Sequence, residues 1–411
     1  MGRLVVYSGG GDGAELPPAL PVAGRWIGGG IRTLHELAFA AAASGRRVEL
    51  RGPVLPAAVE RLAAATGVRP ELPREPRRPD AHDVVVLPEG YDEPWWAGRV
   101  VLSRARAAML LLAPPGLFGW PFTRDWEKPS PLVAERAALA RPEHFRAYAE
   151  LGFALWTPMP RMAELAAAAG VPCRAIGNGT PGPAPAPAEK RHDVAWLRAN
   201  RWAPLAEQVA AALGEGVTVD AIEEAEHEQL LDRLAAARVL LWPSRIEGHA
   251  RIVAEARARG CVPVALASNE FATGLDEASG AVVVAALERM APVVADLLRD
   301  PDRLASLAEH GRRSAAEQLD WGGYVARVGA ALDELEAREP AGTGALAELG
   351  ERLAALELER ARLLAWTQRE LALTRADRER WIARHAGLEA RRSVRLALRL
   401  AQLRPGRRAP R

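Results

Sequence analysis

The chain has 411 residues, of which 49% are apolar and 26% charged. That is a globular composition too long for one ordinary core, so two domains are expected. A formal net charge of +2 excludes a polyanion binder by bulk charge, and no nucleic-acid partner is expected. The two cysteines, Cys173 and Cys261, lie far apart without metal-ligand spacing, which fits a reduced, cytoplasmic protein.

The opening MGRLVVYSGGG runs straight into a strand pattern, RLVVYS (3–8). It has no basic n-region followed by an apolar h-region, so no signal peptide is expected. IRTLHELAFAAAASG (31–45) reads as a helix stopped by Gly45. RVEL (47–50), DVVVLP (83–88), RVVLS (99–103) and GFALWT (152–157) read as strands. The uncharged stretch AAMLLLAPPGLFGWPF (107–122) is short for a membrane span and broken by Pro-Pro-Gly. Strands alternating with helices argue for a parallel sheet covered on its faces.

IGNGTPGPAPAPAEKR (176–191) is a semi-rigid Pro/Ala/Gly-rich linker. Alternation resumes after it with strands at DVAWL (193–197), VTVDAI (217–222), VLLW (239–242), VPVAL (262–266) and AVVV (281–284). The expected organisation is an N-terminal Rossmann-like domain over 1–180, a linker over 181–191 and a C-terminal Rossmann-like domain over 192–338. A long helical, coiled-coil-like extension follows over 343–403, and a basic tail over 404–411.

In the extension Leu346, Leu349, Leu353, Leu356 and Leu363 recur near a 3–4 spacing. Residues 346–363 therefore offer a face for self-association, without specifying an oligomer. From Arg391 onward there are eight arginines and no acid, interleaved with Val394, Leu396, Leu398, Leu400 and Leu403. A basic amphipathic segment of this kind suits an anionic membrane surface and peripheral placement on the inner membrane face. A disordered basic tail and a helix docking on a partner are the alternatives.

The stretch VLLWPSRIEGHARIVAEARARGCVPVAL (239–266) holds Glu247 and Glu255 at a strand-to-helix junction. Glu255 falls about two turns into the helix, roughly 10–12 Å along the axis from Glu247. Ligands of open α/β folds bind at the carboxyl edge of the sheet, and a helix start beside Gly248 suits phosphate. Two carboxylates there can accept hydrogen bonds from separate sets of sugar hydroxyls. Glu247 beside a helix cap, with Glu255 on a solvated face, is the structural alternative.

This region resembles the signature of family 4 glycosyltransferases of the GT-B fold. Pro243, Ser244, Glu247, Gly248, Glu255, Ala256, Gly260, Pro263 and Val264 match in order. GGGIRTLHELAFAAAASGRRVEL (28–50) is similar to the family's glycine-rich loop and first helix. IGNGT (176–180) resembles the opening of the linker, and residues 298–328 the closing helices. The resemblance covers about residues 1–335.

It implies an α/β GT-B enzyme with two Rossmann-like domains facing across a cleft, transferring a sugar with retention of configuration. The donor would be a nucleotide-sugar and the acceptor a saccharide or lipid-linked glycan, in bacterial surface polysaccharide synthesis. No metal or other cofactor is implied. Glu247 would face the donor sugar as the catalytic residue and Glu255 would hold the ribose. Ser244, Gly248, Gly29 and Gly30 would line the donor site. The family's phosphate-binding Arg and Lys stretch is replaced by VAWLRANRWAPL (194–205), which lacks the lysine and the glycine. Arg198 and Arg201 are the candidate replacements, or are surface residues.

The family's central-strand histidine has no counterpart in RVVLSRARAAMLLLAPPG, which leaves a non-catalytic binding or scaffold protein as the rival reading. His35 and His249 are not assigned to catalysis. Trp95, Trp96, Trp120 and Trp126 either line an acceptor groove or pack the core. SGGGDGAE (8–15) matches a relaxed dinucleotide fingerprint, but Pro17, Pro18 and Pro21 disfavour the helix such a site needs.

Overall fold

The structure is a computed structural model and describes residues 2–8, 19–21, 29–89, 100, 103–112, 142–168, 170–182, 185, 188–198, 202–223, 225–244, 251–267 and 275–338. Residues 1–347 form one compact unit and 348–411 a second. The expected extension, its leucine face, the basic tail and the four tryptophans named above all lie outside the described residues.

The first half contains β1 (Leu4–Tyr7), β2 (Ala19–Pro21), α1 (Gly29–Ala43), β3 (Val48–Val54), α2 (Pro56–Thr66), β4 (Val84–Pro88), β5 (Arg106–Leu110), α3 (Pro142–Glu150), β6 (Ala154–Thr157), α4 (Pro160–Ala168) and β7 (Cys173–Ala175). Its strands are parallel, in the order β2-β3-β1-β4-β5-β6-β7. The second half contains β8 (His192–Leu197), α5 (Ala203–Ala212), β9 (Val219–Ile222), α6 (His227–Ala235), β10 (Ala237–Trp242), α7 (Arg251–Ala258), β11 (Val262–Leu266), β12 (Val282–Val284), α8 (Met290–Arg299), α9 (Pro301–Gln318) and α10 (Trp321–Glu336). Its sheet is also parallel, ordered β12-β11-β10-β8-β9.

Runs such as VVVLP and VLLW are buried along most of their length, as strands covered on both faces must be. On one face of the first sheet, Leu4, Val6, Leu50, Val84 and Val86 join α1 and α10 in one core. On the other face the period-two register brings out Glu49 and Arg51. Both are buried, and so are neutralised locally: Arg51 Nε donates to Glu49 at 3.0 Å and Arg3 Nη2 lies 3.1 Å from Asp83. A buried charge without such a partner would be strongly destabilising.

Two expectations change. Of the expected strand RVVLS, the described residues Val100 and Ser103 are helical, Ser103 Oγ donates to Val100 O (2.6 Å), and Arg104 takes a left-handed φ of 59°. The strand is instead RAAML, whose small Ala108 lies in the core shared with α10. That helix lies within 192–338, the expected second domain. In the structure Tyr324, Val328, Ala331, Leu332 and Leu335 bury themselves against the first sheet.

The start of the linker is held to the same helix. Arg327 Nε donates to Ile176 O at 3.0 Å, and Thr180 N bonds Leu319 O, at the end of the preceding helix α9, at 3.0 Å. A Cβ on Gly179 would stand 2.6 Å from Tyr324 Cβ, so only glycine allows this approach. Among the described residues no helix is long and apolar enough to cross a membrane.

Candidate functional site

The order of the second sheet reverses between β8 and β10, the type of switch point where open α/β sheets take ligands. Two expected site residues follow the carboxyl ends of these strands. Ser244, after β10, is fully buried. Arg198 follows β8, where its Nη1 donates to Glu223 Oε1 at 2.9 Å and its guanidinium lies 5.9 Å from the Trp196 ring centre. The Arg198 side chain is 54% exposed, so its present partner is a surface carboxylate. Glu247, Gly248, Arg201, Gly28 and His249 lie outside the described residues.

Gly29 and Gly30 open α1; a Cβ on Gly30 would meet Leu112 Cδ1 at 3.2 Å. The Ala-rich segment that follows has high helix propensity. It ends where Gly45 takes φ 89°, with Gly45 N and Arg46 N bonded back to Ala42 O and Ala41 O, a left-handed cap of the Schellman type. The signature glycine at the end of α7 does the same. Gly260 takes φ 65°, and Gly260 N and Cys261 N close onto Arg257 O and Ala256 O, both at 2.9 Å. Gly260 therefore turns the chain sharply into β11.

Glu255 sits in the body of α7 and is 3% exposed, not on a solvated face. Its Oε1 lies 2.7 Å from Arg32 Nη1, a residue of α1 in the first half of the chain. Arg32 Nε also bonds Glu36 Oε1 at 3.1 Å. Arg251, one turn before Glu255, reaches back to Glu36 in a buried ion pair, and its Nη2 donates to Thr180 Oγ1 at 2.9 Å. The ring of His227, the first residue of α6, completes the group: Nε2 is 3.5 Å from Glu255 Oε1 and Nδ1 is 3.2 Å from Arg32 Nη1. Two helical Arg/Glu pairs at i,i+4 thus exchange partners between the halves of the chain.

Burial by itself would raise the Glu255 carboxyl. Arg32, His227 and Arg251 outweigh it and hold the group well below the usual carboxylate range. Glu255 is therefore an anion in a nearly dry place, where hydrogen bonds to it are stronger than in water. The phenol of Tyr324, also buried, is pushed up by burial and by Glu36, and stays neutral.

Of the expected residues the structure places Glu255 in a charged cluster and sets Arg198 and Ser244 at the switch point. The sequence reading missed Arg32, Glu36, His227, Arg251 and Thr180. The signal available for three of these, Arg32, Glu36 and Arg251, was the repeated Arg-x-x-x-Glu spacing on two helices. Among the described residues no group of three or more His, Cys, Asp or Glu is placed to hold a metal ion.

No protein-family model matches the chain, and no curated protein matches it in sequence. Its fold is similar to that of sucrose-phosphate synthase from Thermosynechococcus elongatus, with TM-score 0.55 and 14% identity over 82% of this chain and 100% of that one. Anabaena HepE in complex with UDP and glucose aligns with TM-score 0.52 and 12% identity over 81% and 100%. A glycosyltransferase from Rickettsia africae ESF-5 aligns with TM-score 0.52 and 9% identity over 82% and 99%. The fold is GT-B. At these identities the likeness is one of architecture, and in that architecture α1, α6 and α7 bring the Glu255 cluster together from both halves of the chain.

Proposed function

We propose that the chain is a glycosyltransferase that moves a sugar from a nucleotide-sugar to an acceptor hydroxyl with retention of configuration. The observation that carries this reading is Glu255: an ionised, nearly dry carboxylate in the signature segment, where ribose hydroxyls would donate to it. The HepE complexes with UDP and glucose and with UDP-glucose support a nucleotide-sugar as the ligand class. Glu247 would face the sugar. In a front-face displacement the acceptor oxygen bonds the anomeric carbon as the bond to the diphosphate breaks. The acceptor proton passes to a leaving phosphate oxygen, whose charge is stabilised by guanidinium groups and helix N-termini.

The acceptor we propose is a saccharide or lipid-linked glycan of surface polysaccharide synthesis, reached at the inner membrane face through the arginine-rich C-terminus. Flotation of the full chain with anionic vesicles at low salt, lost on removing residues 391–411, is the expected result for that part.

The central test is binding of UDP-, GDP-, ADP- and dTDP-sugars, followed by hydrolysis and transfer assays. Glu255→Ala should weaken nucleotide binding about ten- to hundredfold, the worth of a charge-assisted hydrogen bond. Glu247→Ala should lower kcat more than it lowers nucleoside diphosphate affinity. Unchanged affinity in a folded Glu255→Ala protein sinks the assignment. The pairing of Arg198 with Glu223 favours a second reading, a binding or scaffold protein on the same fold. Donor binding without hydrolysis or transfer to any glycan would support it.

A further inference from the structure

The cluster around Glu255 is not uniformly closed. Glu36, Arg251 and Glu255 expose 1%, 4% and 4% of their side chains, whereas Arg32 exposes 19%. Arg251 is committed: Nη1 to Glu36 and Nη2 to Thr180. Arg32 is only half committed. Its Nε is bound to Glu36 and its Nη1 to Glu255 and His227, but its Nη2 makes no hydrogen bond among the described residues. One edge of a guanidinium thus remains accessible, held by a fixed stem beside the proposed ribose-binding carboxylate.

From this we infer that Arg32, supplied by the first half of the chain, is a donor-positioning residue whose free Nη2 edge takes the diphosphate of the nucleotide-sugar. The inference rests on the glycosyltransferase reading and on the ribose role of Glu255. A ribose carries its 2′- and 3′-hydroxyls and its 5′-phosphate on one five-membered ring. A cation touching the carboxylate that holds the hydroxyls therefore lies within one sugar ring of the phosphates. The charge balance agrees. Two arginines and two glutamates sum to zero without ligand. When ribose hydroxyls take over part of Glu255's hydrogen bonding, the Arg32 charge is released toward the incoming anion. Arg32 would then do the work that the sequence reading gave to Arg198 and Arg201, and would close the two halves of the chain on the donor from α1. Guanidinium suits this double task because its donors are spread over three nitrogens of a rigid plane, so that Nε can hold Glu36 while Nη2 meets a phosphate.

The test compares nucleoside with nucleoside diphosphate. Full-length wild type, Arg32→Lys and Arg32→Gln are titrated with UDP, GDP, ADP and dTDP, and with the corresponding nucleosides. Arg32→Lys keeps a counter-ion for Glu255 and guards against loss of the fold; circular dichroism and Tm confirm it. The expected result is a loss of about ten- to hundredfold in diphosphate affinity in both variants, with nucleoside affinity kept within about threefold in Arg32→Lys. Equal losses for nucleoside and diphosphate would make Arg32 a support for Glu255 alone and overturn the inference. So would unchanged diphosphate affinity. If wild type binds none of the diphosphates, the proposed function falls and this inference with it; wild-type binding that the variants retain removes the inference only.

Discussion

Arg251 of α7 and Glu36 of α1 form a buried ion pair across the two halves of the chain, while each also has an i,i+4 partner of opposite charge on its own helix. Arg32 and Glu255 return the exchange at 2.7 Å. The polar contact of α1 with α7 is therefore written in four charges, with Thr180 of the linker bonded to one of them. A carboxylate expected to receive a ribose is thereby kept ionised and oriented by a helix of the other half.

The exchange predicts strong non-additivity. Arg251→Met alone leaves Glu36 with one cation in place of two and should cost about 3–5 kcal/mol, as breaking a buried pair does. Glu36→Leu alone should cost a similar amount. The double variant should recover about 1–3 kcal/mol of the summed loss. Urea unfolding of the four proteins measures this, and strict additivity would show that the two side chains stand near each other without acting as a pair.

A second prediction concerns acid. His35 on α1 is fully buried; its Nε2 lies 3.1 Å from Pro53 O, where Nε2–H donates. Its Nδ1 is buried without a hydrogen-bond partner. Burial, partly offset by that bond, pushes its pKa down to about 4 from 6.5. Below 6.5 the unfolded chain takes up a proton that the folded chain refuses, so the stabilisation present above 6.5 is lost as pH falls toward about 4. The slope is about 1.4 kcal/mol per pH unit. Thermal unfolding between pH 7.5 and 4.5 should show Tm falling through this window. His35→Gln, which keeps a donor for Pro53, should flatten that fall; an identical profile would place the titrating group elsewhere.

A third concerns composition. The chain has only two lysines, Lys128 and Lys190. The Nζ of Lys190 donates to three carbonyls, of Ala235 (2.9 Å), Ala237 (2.8 Å) and Arg259 (3.1 Å). These tie together the ends of α6 and α7, the helices that carry His227 and Glu255. An ammonium directs three donors tetrahedrally from one compact atom, whereas a guanidinium spreads its five over a broader plane that does not match three carbonyls converging on one point. Lys190→Met should cost about 2–3 kcal/mol, and Lys190→Arg should restore less than half of it. Full stability of Lys190→Arg in a melting experiment would show that charge alone suffices at this position.

What the sequence by itself determined is the part written in local signals. Apolar runs bounded by glycine and spaced by helical periodicity set out two parallel sheets, because strand burial and helix capping depend on neighbours a few residues away. The segment from β10 through Gly260 to β11 was legible for that reason. RVVLS misled because its β-branched pair imitates a strand, while the true strand uses alanine, a choice dictated by α10 packing over it from the far end of the chain. The tertiary structure alone decided that α10 belongs to the first core and that Glu255 faces Arg32. An Arg and a Glu four apart on a helix read alike whether they pair in solvent or trade partners with a second helix. Which of these occurs depends on the close approach of α1 to α7, and on a buried setting in which an unpaired charge would not be tolerated.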